Sequence, residues 1–229
     1  MSAFVKVKPF GVDQLISDNR HHVRYGDSCW IVMTGKRKGG RPPDKENSSG
    51  HSLTLPGLCA DITSTLILPN QNTTYGIMPF CIGGWTKAIL VFDIDWHHGD
   101  LWKDLYVSKS RDTEKFNEWL RSKRTCLVGP HHLKFIKTYT PDHFIESYRN
   151  SYLHRDEVMR ELLETQDDYD VVLFSAGLLT QVVVWELGRR EDFKPKMIDT
   201  GAHWDPYAGV RSRNYHRGGE KIVLRYKPS

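Results

Sequence analysis

The sequence has no CxxC pair, no G-x-G-x-x-G loop, no G-x-x-x-x-G-K-[ST] loop and no apolar run of membrane-spanning length. Each absence removes a class. The four cysteines, Cys29, Cys59, Cys81 and Cys126, are widely spaced, which argues against a structural zinc knot. Reduced, buried thiols in an intracellular protein explain them simply. Without either glycine-rich loop, the usual routes to a dinucleotide or P-loop nucleotide enzyme have no support. Residues 4–10 are interrupted by lysines and a proline, so no signal-peptide core is read there. The expectation is a cytoplasmic protein with no transmembrane anchor. Repeats and heptads are missing as well. The formal charge is only +4, which admits anionic small molecules without demanding nucleic acid.

What is present suits one α/β domain. A length of 229 residues allows one large domain or two small ones, and an apolar content of 39% is lean but enough for a core. The chain is organised around residues 170–207, DVVLFSAGLLTQVVVWELGRREDFKPKMIDTGAHWDPY. Its order is apolar run, small-residue turn, apolar helix-like run, basic break, second short strand and acidic loop, as in a β-α-β unit. Residues 171–174 carry no polar side chain, which fits a strand buried on both faces of a parallel sheet. Ser175, Ala176 and Gly177 then make a tight turn that lets a ligand approach the backbone. A helix is predicted over residues 178–187, with its first N–H groups suited to a phosphate or another anion. A second strand, residues 196–199, ends in Asp199-Thr200-Gly201. Open parallel sheets bind ligands beyond the carboxyl ends of their strands, so both loops fall where a site is expected. An ordinary β-α-β unit with tight turns is the plain alternative.

The expected organisation is a lead-in at residues 1–20, a Rossmann-like domain at residues 21–208 with a mainly parallel sheet flanked by helices, and a basic segment at residues 209–229. A short helix is predicted at residues 12–17. Residues 30–33 read as a strand or a helix start. Residues 36–50, KRKGGRPPDKENSSG, form a basic loop expected to be mobile. It could steer an anion, close as a lid or simply be solvated. Leu55, Leu58, Ile62 and Leu66 mark a helix within residues 52–68. Residues 74–80 are a strand candidate followed by a Gly83-Gly84 turn. Phe116, Trp119 and Leu120 mark the apolar face of a charged helix at residues 111–121. Residues 125–128 are a short strand ending in Gly129-Pro130-His131-His132, with a helix expected to start at residues 133–136. That loop also belongs at the sheet edge. His131 or His132 could contact phosphate or act as acid or base, or be a surface residue. Residues 143–148 read as an edge strand, residues 154–164 as a helix and residues 222–226 as a further edge segment. The basic tail is a candidate to fold over the site and hold a diphosphate.

Residues 88–100, AILVFDIDWHHGD, offer a competing centre. Asp93, Asp95, His97 and His98 could ligate a metal. The string resembles the metal-binding strand end of histone deacetylases, but only over a short stretch. A DxD pair is also a weak glycosyltransferase signal, and the two aspartates could instead cap the helix that carries Trp102.

Three segments together resemble the GT-D type of nucleotide-sugar glycosyltransferase. The R-[FY]-G-D-G-E motif of that family is matched by Arg24-Tyr25-Gly26-Asp27-Ser28-Cys29. Its G-P-T-A turn is matched by Ser175-Ala176-Gly177-Leu178. Its I-D-I-G strand end and D-x-E are matched by Ile198-Asp199-Thr200-Gly201 and Asp205-Pro206-Tyr207. Two acidic positions of the family are absent here, where Cys29 and Tyr207 stand. The likeness implies a nucleoside diphosphate sugar at the sheet edge, with a UDP-sugar as the leading expectation, and a divalent metal, Mn or Mg. Arg24 and Asp27 would face the nucleotide, and residues 175–178 would lie under the phosphates; Gly129 and His131, at the strand-end loop read above, are further candidate contacts. Asp199 would brace the acidic loop. Asp205 would be the metal carboxylate and the first candidate for general base, with Asp27 and His203 behind it. The acceptor implied is a hydroxyl of a glycan, a protein or a modified DNA base. A nucleic-acid-binding protein using the basic loop and tail is the competing class.

Overall fold

The computed structural model describes residues 5–36, 52–108, 111–136, 138–213 and 216. Their strands form one eight-stranded sheet in the order β1-β4-β3-β2-β8-β7-β5-β6, with every pairing parallel. The order follows from the chain's path. β1 (Val7–Lys8) takes one edge, and α1 (Val12–Ser17) leads to β2 (His21–Tyr25) at the centre. The chain then steps outward through α2 (Asp27–Thr34), α3 (Leu58–Ile67), β3 (Thr73–Ile77), α4 (Pro79–Ile89) and β4 (Trp96–His98). After α5 (Leu101–Ser108) and α6 (Arg111–Arg121) it crosses to β5 (Thr125–Gly129) and to β6 (His143–Glu146) at the other edge. It returns through α7 (Arg155–Glu164), β7 (Val171–Phe174) and α8 (Leu179–Leu187) to β8 (Lys196–Asp199), which lies against β2. The direction of winding therefore reverses between β2 and β8, and a crevice opens there at the strands' carboxyl ends.

The sequence explains the core. Every residue of β3, β5 and β7 is buried, as expected of strands covered by helices on both faces. Each large apolar side chain removed from water there contributes roughly 1.5–3 kcal/mol. α8 is buried along nearly its whole length, which its unbroken VVVW run requires. α6 behaves otherwise: among its described side chains, residues 112–121, only Phe116 and Leu120 are buried, and the charged ones are exposed.

The parallel α/β fold, the strands at residues 171–174 and 196–199, and the edge strand after β5 are as the sequence predicts. Several local expectations are corrected. The lead-in adds β1 to the sheet beside β4. Of the two readings for residues 30–33, the helix holds, within α2. Gly83 and Gly84 do not turn the chain; they lie inside α4, whose kink is at Trp85 with φ −129° and ψ 22°. Residues 133–136 start no α-helix, because only a 3-10 turn, His131–Phe135, follows β5. Asp93 and Asp95 do not cap α5. Asp95 instead pairs with Lys8 at 2.7 Å, across the sheet edge. Gly99 follows β4 so closely that a Cβ would stand 2.7 Å from the Ile77 carbonyl carbon, so no larger residue fits. The basic loop at residues 37–50 and the segment at residues 222–226 lie outside the described residues. None of the described helices is long and apolar enough to cross a membrane.

Candidate active site

A cleft of about 670 Å³ lies at the carboxyl ends of the central strands. Its size is that of a small-molecule site. The three sequence segments that carry the family resemblance all reach it. Arg24, Gly26 and Asp27 come from the end of β2 and the start of α2, Ser175, Gly177 and Leu178 from the β7-α8 turn, and Asp199, Gly201 and Asp205 from the end of β8.

Arg24 and Asp199 form the cleft's inner brace. The Arg24 Nη2 donates to Asp199 Oδ1 at 3.2 Å, and the Arg24 backbone N–H donates to Oδ2 at 3.1 Å. The Gly201 N–H adds a third bond to Oδ1 at 2.9 Å. Arg24 is 12% and Asp199 7% exposed at the side chain, so the pair is largely withdrawn from water. Gly201 has φ +53°, and a Cβ there would come within 2.0 Å of the Arg24 guanidinium. Gln181, on the first turn of α8, donates through Nε2 to the Arg24 carbonyl at 2.7 Å and ties the helix to β2.

Asp27 is different. It is the exposed first residue of α2, its Oδ1 accepts the Ser28 N–H at 2.9 Å, and it faces the cleft. Ser175 shares a hydrogen bond with Thr200 at 3.1 Å, which joins the β7 and β8 turns. Gly177, at φ +61°, lets the chain reverse into α8, whose start therefore borders the cleft.

The opposite wall holds an imidazole–carboxylate pair. His132 Nε2 lies 3.0 Å from Asp205 Oδ1, and the Ser212 hydroxyl donates to Asp205 Oδ2. His132 is about one-third exposed at the side chain, against 10% for Asp205. Arg149 and Arg213 line the same cleft, and Phe80 and Tyr148, each about half exposed, stand on its walls.

Four expected site residues are corrected. His203 is 2% exposed and packed among Trp102, Phe116, Trp204 and Tyr207, with ring centroids 4.7 Å to 6.2 Å away. Burial pushes its pKa down to about 3, so it is a neutral core group and no general base at the cleft. His131 is not among the residues lining the cleft and pairs with Glu146 at 3.0 Å, where it and Lys134 hold the Glu146 carboxyl below its usual range. Ala176 is buried behind the wall, where its carbonyl accepts the Ser151 hydroxyl at 2.7 Å. Gly129 also stands back, with room for a Cβ denied by Leu133 at 2.7 Å. Trp204 stacks on Tyr139 at 5.0 Å in the core, so it offers no ring to a sugar.

Asp205 does not fit the part of a resident metal ligand. Both of its oxygens are engaged, and among the described residues no group of three or more His, Cys, Asp or Glu could hold a metal ion. This applies equally to Asp93, Asp95, His97 and His98.

Sequence reasoning did not single out Gln181, Ser212, Arg149 or Tyr148. Gln181 and the carbonyl it binds are 157 positions apart, and no local pattern reports such a contact.

No protein-family model matches the sequence, and no curated protein does. Solved structures do match. One is a selenomethionine-substituted structure of domain of unknown function 1792 (DUF1792), with a TM-score of 0.66 at 14% identity over 97% of this chain and 85% of that one. A second is described in the words "the highly conserved domain of unknown function 1792 has a distinct glycosyltransferase fold", with a TM-score of 0.65 at 14% identity over 96% of this chain and 92% of that one. The fold is GT-D-like. The motif resemblance thus extends to the architecture of nearly the whole chain. The cleft lies where the winding reverses between β2 and β8, and all three motif segments contribute to its lining.

Proposed function

We propose that the protein is a glycosyltransferase that binds a nucleoside diphosphate sugar in this cleft and moves the sugar to a hydroxyl acceptor. The observation that carries the reading is convergence. Three segments far apart in sequence, chosen for their likeness to GT-D enzymes, meet at one cleft in a fold similar to one described as a glycosyltransferase fold.

The chemistry of the lining supports it. Negative charge grows on the leaving diphosphate as the glycosidic bond breaks, and positive groups or helix starts lower that barrier. Arg149, Arg213 and the start of α8 border the cleft and suit that task. Phe80 and Tyr148 suit the faces of a nucleobase or sugar ring. Asp27, exposed and held only at one oxygen by the Ser28 N–H, suits a ribose or sugar hydroxyl. A divalent ion, Mn or Mg, would have to be held chiefly by the diphosphate, since among the described residues the side chains form no cage for it. The donor of first choice is a UDP-sugar. Glycan, protein and modified-DNA acceptors are separated by assay. The nucleic-acid-binding reading rests on the basic loop and the basic tail, most of which lie outside the described residues.

Calorimetry with UDP, GDP, TDP and CDP and their sugars, with and without manganese, tests the reading. The expected result is a preference for one nucleoside diphosphate, weakened about tenfold or more by D27A, as removal of a charged hydrogen-bonding group predicts. No binding of any nucleotide, together with salt-sensitive binding to DNA or RNA, would sink it.

A further inference from the structure

His132, and not Asp205, has the geometry of the group that would take the acceptor's proton. We infer that His132 is the general base of this site and that Asp205 and Ser212 are the residues that position it. The inference rests on the transferase reading.

An aspartate carboxylate only accepts hydrogen bonds, so the 3.0 Å contact with Oδ1 assigns the imidazole hydrogen to His132 Nε2. The lone pair is then on Nδ1, which has no hydrogen-bond partner among the described residues. Asp205 is held on its second oxygen by Ser212 and is mostly buried, so it is fixed in place and its oxygens are occupied. His132 is the member of the pair with substantial exposure, and it lines the cleft. The 3-10 turn that carries it packs against the turn Asp205–Ala208, which fixes both partners to the ends of β5 and β8. An imidazole oriented by a buried carboxylate is an arrangement that removes a proton from a hydroxyl.

The step balances. The acceptor O–H gives its proton to His132 Nδ1 while its oxygen bonds to the anomeric carbon of the donor. The bond from that carbon to the diphosphate oxygen breaks, and its electron pair leaves on the nucleoside diphosphate. The imidazolium then releases the proton to water.

The test measures nucleoside diphosphate release from UDP-glucose, UDP-galactose, GDP-mannose and TDP-glucose with a panel of p-nitrophenyl glycosides as acceptors, and donor affinity by calorimetry. H132Q keeps an amide N–H near the Nε2 position for Asp205 but has no basic nitrogen. Its kcat is expected to fall at least a hundredfold with donor affinity unchanged. H132G is expected to regain rate with added imidazole, a response that a merely structural role would not give. D205N is expected to lower kcat less than H132Q does, again with donor affinity kept. Should H132G fail to fold, H132A leaves the same space for imidazole and gives the same comparison. Turnover by H132Q at the wild-type rate, or a loss carried by donor affinity alone, overturns the inference and leaves the transferase reading standing. So does a D205N loss larger than that of H132Q, which would make Asp205 the base. Wild-type protein that turns over none of the donors and binds none overturns both.

Discussion

The two carboxylates of the cleft, Asp199 and Asp205, look alike in sequence and do different work. Each stands at or just beyond the end of β8, and each holds a nitrogen partner from another strand's end, Arg24 on the adjacent β2 and His132 after β5, two strands away. Asp199 accepts three hydrogen bonds, two from Arg24 and one from Gly201, and both partners are almost fully buried. Asp205 accepts from His132 and Ser212, and its imidazole partner reaches the cleft. The first arrangement fixes the backbone of β2 against β8, where the sheet reverses. The second fixes a side chain that remains accessible. Burial of the partner, and not the identity of the acid, separates a brace from a chemical group.

The largest effect expected on the closed side comes from acid. Burial pushes His203 down to about 3 and His21 down to about 4, and it pushes His22 down as well. Below the ordinary unfolded value of about 6.5, the unfolded chain binds protons that the folded chain refuses. The stability these groups allow is therefore fully present above pH 6.5 and is lost as pH falls toward 4. Each contributes a slope of about 1.4 kcal/mol per pH unit inside that window. Urea midpoints measured from pH 7.5 to 4.5 should fall steeply, and H203F should flatten the fall by about that one slope. A flat profile would place these histidines in contact with water and undo the contrast with His132.

Next in size is the brace itself. D199A leaves the Arg24 guanidinium without its carboxylate in a site only 12% exposed. Breaking a buried pair from one side costs about 3–5 kcal/mol, read as a lower urea midpoint. Asp205→Ala should cost clearly less stability, since His132 can still reach water. Equal losses at the two positions would erase the distinction between them.

The contrast was half legible in the sequence. β7, the small-residue turn, α8 and β8 were readable because an unbroken apolar run, a Gly turn and a second run follow in order. Asp199 was placed at the sheet's edge by the rule that parallel strands share their carboxyl ends, whereas Arg24, Asp27 and Asp205 were placed there only by the likeness to GT-D enzymes. Which neighbour each side chain meets was not readable. His131 and His132 are adjacent and chemically identical, and only the 3-10 turn after β5 sends one to Glu146 and the other to Asp205. His203 stands beside Trp204 in a loop, yet the packing of α5 and α6 encloses it. Gly83 and Gly84 signal a turn by composition, but they lie in a kinked helix that is anchored by the buried Cys81, Trp85 and Ile89.

A smaller effect tests how tightly the brace is built. G201A adds a methyl group at φ +53°, which costs a residue with a side chain about 1–2 kcal/mol by itself. The methyl would also displace the Arg24 guanidinium, since its position lies 2.0 Å from Nη2. The loss should thus exceed that of a Gly-to-Ala change at Gly35, which is also left-handed at φ +63° but has no heavy atom within 4 Å of the added carbon. Equal losses in the two variants would mean that Arg24 moves aside freely.

The smallest effect is expected at His131, and it isolates the neighbouring residue. Its side chain is 62% exposed, and its contact with Glu146 is a surface pair screened by water. Lys134 lies 3.1 Å from the same carboxyl and keeps it paired if the imidazole is removed. H131A should leave the urea midpoint, nucleotide affinity and turnover where they are, while H132Q, one residue later, is expected to lower turnover. Loss of turnover in H131A at unchanged stability would mean that the 3-10 turn, and not the His132 side chain alone, is what the cleft requires.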